Sequence, residues 1–92
     1  FVVGEKLWHL GRNHQVMCVT HLPQLAAFGD QHFKVRKHVA EGRTITEVDA
    51  LEDNGRIVEL AQMNGSMSEA NLNAAQEALT QAREFQVKSA HP

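Results

Sequence analysis

Six histidines and one cysteine give this 92-residue sequence its widest chemical range. Imidazoles at His9, His14, His21, His32, His38 and His91 could ligate a metal, carry a proton or donate to a phosphate. Their arrangement argues against a metal site. They fall on different predicted elements, none belongs to an H-E-x-x-H pair, and the single Cys18 offers no C-x-x-C partner. The sequence also lacks G-x-x-x-x-G-K-[ST] and G-x-G-x-x-G, so it carries no complete phosphate or dinucleotide site of its own. Surface or packing roles account for five of the histidines.

His21 differs by position. In "CVTHLPQLA", Cys18 to Ala26, an apolar run ends in a histidine and passes at once into a segment opened by Pro23. Ligands of open α/β sheets bind beyond the carboxyl ends of strands, and a helix starting beside that edge aims free N–H groups at an anion. A histidine at that point can donate to a phosphate oxygen. Position alone leaves a second reading open, a loop histidine satisfied by backbone groups.

The elements that would hold His21 follow from pattern. Val3, Leu7 and Leu10 recur at helical spacing and predict a helix from Phe1 to Leu10, stopped by Gly11 in a left-handed cap. The short β-branched run Val16 to Thr20 predicts a strand buried on both faces, with Cys18 inside it as a reduced, buried thiol. Pro23 suits the first position of a helix of about two turns ending before Gly29. Next, "HFKVRKHVAEGRTITEVDAL" predicts a hairpin turning at Glu41-Gly42, which sets Arg36 opposite Glu47, Lys34 opposite Asp49, Val35 opposite Val48 and Phe33 opposite Ala50. Each such cross-strand pair adds about 0.2–1 kcal/mol, and a one-residue slip would lose them all. The acidic partners make the basic run "KVRKH" a paired, solvated face rather than a phosphate contact.

Two helices close the chain. Asp53 is the predicted cap of the first, with Ile57, Leu60 and Ala61 on its apolar face and Asn64-Gly65 as its stop. The second is opened by Ser66 or Ser68 and carries the stripe Leu72, Ala75, Leu79 and Ala82, suited to close packing on the domain.

Composition bounds the rest. One small domain of this length buries roughly 60% of its unfolded surface, and one Trp, four Phe and no Tyr leave few large groups for a core. A formal charge of −2 gives no global attraction to nucleic acid. No apolar run approaches a membrane span and no signal peptide is visible, which with a lone reduced cysteine predicts a cytoplasmic chain. Phe1 sits inside a predicted amphipathic helix, so the chain reads as part of a longer polypeptide. Isolated, it is expected to expose the Val16–Thr20 strand and to associate.

The stretch "QVMCVTHLPQLAAFGDQH", Gln15 to His32, closely resembles the C-terminal part of the bacterial RecN family of DNA repair proteins, SMC-like ATPases of the ABC class. The likeness covers nearly the whole chain, with "CVTHLPQ" its most specific part. "VVGEKLWHLGRNH" resembles the helix after that family's Walker B and D-loop segment, "FKVRK" to "TEVDAL" its late hairpin, and "RIVELAQM" and "SEANLNAAQEAL" its closing helices. Met63-Asn64-Gly65-Ser66 departs from the family's usual Leu-Gly-Gly helix ending, which touches a cap rather than the chemistry.

The resemblance implies an α/β fold: residues 1–92 as the C-terminal portion of a P-loop ATPase head, with one buried strand, a hairpin and flanking helices. It implies that His21 is the switch histidine, contacting the γ-phosphate of ATP and helping to place the attacking water. ATP and Mg2+ would be held largely by segments before Phe1, two heads would form a homodimer around the nucleotide, and the whole protein would act on DNA in double-strand break repair and recombination, among the nucleoid. Two alternatives remain at this point: an autonomous small α/β binding module with a structural His21, or the head of another SMC-like chromosome-maintenance ATPase.

Overall fold

The computed structural model describes residues 1–90; His91 lies outside them. The element order is α1 (Val2–Leu10), α2 (Pro23–Ala26), β1 (His32–Ala40), β2 (Arg43–Leu51), α3 (Asp53–Met63) and α4 (Glu69–Ala90). Among the described residues the fold is mixed α/β, and the sheet is a single antiparallel pair, β1 against β2.

That hairpin has the register expected from charge and apolar pairing: Phe33 opposite Ala50, Lys34 opposite Asp49, Val35 opposite Val48 and Arg36 opposite Glu47. Glu41 and Gly42 form the turn with φ of 53° and 75°, the two positive angles that match a two-residue turn to the twist of the strands. Arg36 takes both acidic neighbours, with Nη2 2.7 Å from Glu47 and Nε 2.6 Å from Asp49. Lys34 therefore turns away from Asp49 and pairs with Glu59 on α3 at 2.9 Å. The planar guanidinium presents separate Nε and Nη2 donors that meet the two carboxylates at once, and Lys34 tethers the hairpin to α3.

The core forms where α3 and α4 pack together, joining Leu60 and Ala61 to Ala75, Leu79 and Ala82. Ile57 and Leu72 flank it, so both predicted stripes face inward. Small residues on α4 let the two helices approach closely, as the sequence pattern implied. Trp8, Phe28 and Phe85 extend this core, meeting edge to face with ring centroids 5.8–5.9 Å apart. Ser68 wins the competition to cap α4: its Oγ accepts from the Asn71 N–H at 3.1 Å, while Ser66 accepts from the Asn71 side chain.

Several expectations are corrected. Val16–Thr20 forms no strand and is not buried; Met17 is 89% exposed, Val19 96%, and Cys18 is an exposed thiol. A buried strand must hydrogen-bond on its flanks, and the only described strands pair with each other, so the segment has no ladder to join. On α1 the inward residues are Gly4 and Trp8, whereas Val3 and Leu10 face out. The large indole sets the buried side of that helix, which turns Val3 and Leu10 outward. Gly11 ends α1 in a right-handed conformation, φ −66°, because the chain continues into a further turn through Asn13 and His14. The helix after Pro23 is one turn rather than two. Asp53 is the first residue of α3, with Glu52 at the cap position, and its carboxylate goes to Arg83 at 2.6 Å instead of to the helix end.

Gly4 lets α1 approach Phe28 closely, since a Cβ there would collide with the Phe28 ring. Gly4→Ala gains helix propensity of about 1 kcal/mol. It must still displace a buried aromatic, and overpacking of that kind costs about 1–3 kcal/mol. Thermal unfolding should therefore show a lower Tm for the alanine variant; a higher Tm would mean that α1 does not press on Phe28.

Candidate functional site

His21 sits at the end of the exposed Val16–Thr20 segment, directly ahead of α2. Thr20 Oγ1 accepts from the Leu22 N–H at 3.0 Å, closing a small turn across His21. Leu22 takes the cap position of α2 with extended backbone, φ −99° and ψ 114°, and its carbonyl accepts from the Leu25 and Ala26 amides at 3.1 and 3.0 Å. Pro23 is buried at the first helical position, where its missing N–H costs nothing. The backbone after His21 is thus tied to α2 through Leu22 and Pro23, while the imidazole itself is exposed and makes no hydrogen bond among the described residues. Beside it runs a shallow groove lined by Phe1, Val3, Gly4, Leu22, Gln24 and Leu25.

A four-residue helix has a weak dipole, so the aimed field expected from a two-turn helix is largely missing. What the site presents is one side-chain N–H donor on a fixed turn. That suits a single contact to an anionic oxygen and falls short of a complete binding site.

The far end of α2 is held from inside the molecule. Arg56 on α3 is 7% exposed, and its Nη2 lies 3.3 Å from the Ala26 carbonyl, 3.4 Å from that of Ala27 and 3.0 Å from that of Gly29. Gln86 on α4 donates to the Phe28 carbonyl at 3.0 Å. Burial, helped by the nearby Arg83, holds the Arg56 guanidinium below its ordinary pKa range. Arg12 closes the base of the intervening loop by pairing with Asp30 at 2.7 Å and stacking 4.2 Å above the Trp8 ring. Sequence reasoning missed Arg56. The signal was present, because Arg56 stands four residues before Leu60 and so shares the inward face of α3.

The other described histidines go elsewhere. His9 lies edge-on to Trp8 and Phe85, His14 is exposed, and His38 stands 3.9 Å from Glu47 on the hairpin. Among the described residues no three His, Cys, Asp or Glu side chains come together as a metal site.

His32 is half-buried at the start of β1, and its Nδ1 is buried without a partner. Burial lowers its pKa from the ordinary 6.5, Arg56 lowers it further, and Glu59 opposes them. The fold therefore prefers the neutral ring. Its contribution is fully present above pH 6.5 and is lost as pH falls from there toward the depressed folded value. Acid titration of stability should show that slope in wild type and lose it in His32→Gln; an unchanged slope would place the titrating group elsewhere.

No helix among the described residues is long and apolar enough to cross a membrane. No protein-family model matches the chain. Curated relatives do. The DNA repair protein RecN of Deinococcus radiodurans is 45% identical over 78 residues, covering 84% of this chain and 14% of the relative. The RecN of Xylella fastidiosa strain Temecula1 is 46% identical over 66 residues, covering 72% and 12%. That of Bacillus subtilis is 35% identical over 82 residues, covering 87% and 14%. The chain thus spans about one-seventh or less of the length of these relatives.

Proposed function

This chain belongs to the RecN family of DNA repair proteins, and on that premise we propose that it is the C-terminal portion of an SMC-like ATPase head. The identity across 84% of the chain carries this reading. The intact protein hydrolyses ATP and acts in double-strand break repair and recombination, on DNA in the cytoplasm, with two heads closing on the nucleotide.

His21 supplies the switch histidine. Phosphoryl transfer needs little covalent help from a protein; it is accelerated by placing the nucleophile and stabilising charge on the transferred group. An imidazole N–H donated to a γ-phosphate oxygen stabilises that charge, and the same ring orients the attacking water in line with the phosphorus. The observations that support the role are an exposed, unengaged imidazole and a closed turn that runs from it directly into α2. The donor set of this chain fits one phosphate contact. It does not fit Mg2+, whose ligands on this reading lie in other segments of the protein.

The reading is tested by comparing residues 1–92 alone with the intact polypeptide. The segment alone is expected to show neither tight ATP binding nor hydrolysis, while the intact protein turns over ATP. Tight nucleotide binding by the segment, or no turnover by the intact protein, would contradict the proposal.

A further inference from the structure

Arg56 is an expensive way to satisfy helix carbonyls. Among the described residues it forms no ion pair, since Asp53, three residues earlier on α3, is committed to Arg83 at 2.6 Å. Its Nε is buried with no partner. Burying a guanidinium against neutral carbonyls forfeits hydration without gaining a counter-ion, so stability alone is a poor account of it. Geometry is a better one. One Nη2 gathers the carbonyls of Ala26, Ala27 and Gly29, which fixes the end of α2 relative to α3.

Because α2 is only four residues long, the first clamped carbonyl, that of Ala26, lies about 6 Å of helical rise beyond Leu22, which closes the turn that carries His21. The clamped end and that turn are therefore joined by one short helical segment opened by Pro23. We propose that Arg56 is a positioning residue for ATP hydrolysis: by holding the Ala26, Ala27 and Gly29 carbonyls it sets where His21 presents its N–H to the phosphate. This rests on the ATPase reading of His21, and the test separates the two.

ATP hydrolysis and ATP affinity are measured on the intact protein as wild type, Arg56→Gln, His21→Ala and the double variant. The glutamine is shorter and neutral and cannot gather three carbonyls. A misplacement of about 1 Å can cost on the order of 100-fold in rate, so Arg56→Gln is expected to lower kcat about 10- to 100-fold with ATP affinity nearly unchanged. Arg56→Lys, which keeps the charge and loses the fork, should recover part of that loss. On the His21→Ala background Arg56→Gln should cause no further fall, because the group it places is gone. A structural role would instead lower both backgrounds by the same factor, which would overturn the inference. Full kcat in Arg56→Gln beside an impaired His21→Ala would also overturn it, while full activity in His21→Ala would overturn the histidine reading itself. Should Arg56→Gln not fold, Arg56→Lys and Gln86→Leu, which frees the Phe28 carbonyl, carry the same comparison. Each lowers kcat only where His21 is present, and unchanged kcat in both overturns the proposal.

Discussion

On the proposed switch role, His21→Ala in the intact protein is expected to lower ATP hydrolysis about 100- to 1,000-fold, the loss typical of removing one aimed donor from a transition state. It leaves folding unchanged. The imidazole is exposed and hydrogen-bonds to nothing among the described residues, so its removal breaks no packing and costs within about 0.5 kcal/mol. Its neighbours keep the turn: the Thr20 hydroxyl still accepts from Leu22, and Pro23 remains buried. ATP affinity should change much less than rate, because most phosphate contacts on this reading come from other segments. Steady-state hydrolysis alongside thermal unfolding checks both halves. Turnover at the wild-type rate by a folded variant would refute the role of His21.

The opposite pattern is expected at Leu60. That side chain is completely buried between α3 and α4, touching the stripe of Ala75, Leu79 and Ala82. Leu60→Ala opens a cavity in a core with few large residues, at a cost of about 3–5 kcal/mol. Small domains hold only about 5 kcal/mol or little more in total, so the segment should unfold at or near ambient temperature. Leu60→Met, which keeps the volume, should cost under about 1.5 kcal/mol. Denaturant unfolding of the two variants distinguishes a packed core from a loose one; equal effects would contradict close packing of α3 on α4. On the proposed role of Arg56, which shares the Leu60 face of α3, hydrolysis by the intact protein is expected to fall in Leu60→Ala as well. Stability and rate are thus expected to fall together at Leu60 and to separate at His21.

Local signals in the sequence were sufficient for the hairpin and for the packing of α3 on α4. The hairpin register follows from charges and apolar groups that meet across a two-residue turn, and the structure has that register at every pair named. The stripes of α3 and α4 likewise find each other. The Val16–Thr20 prediction fails for the converse reason: an apolar β-branched run specifies burial, and among the described residues nothing is placed to bury it. On α1 the helical period was legible, but the choice of inward face went to Trp8, whose indole outweighs the Val3 stripe. At the site, His21 stood out because an apolar run stopped at it. Arg56 was hidden by its type, since arginine reads as surface until its place on the Leu60 face is considered.

Whether this chain is one part of a nucleotide-hydrolysing head is decided by sequencing the reading frame that precedes Phe1. That frame is expected to encode G-x-x-x-x-G-K-[ST], a long heptad region and an Asp-Glu pair ending a strand shortly before Phe1. A start codon immediately before Phe1 with no such segments would contradict it, because no phosphate-binding loop would then exist for His21 to serve.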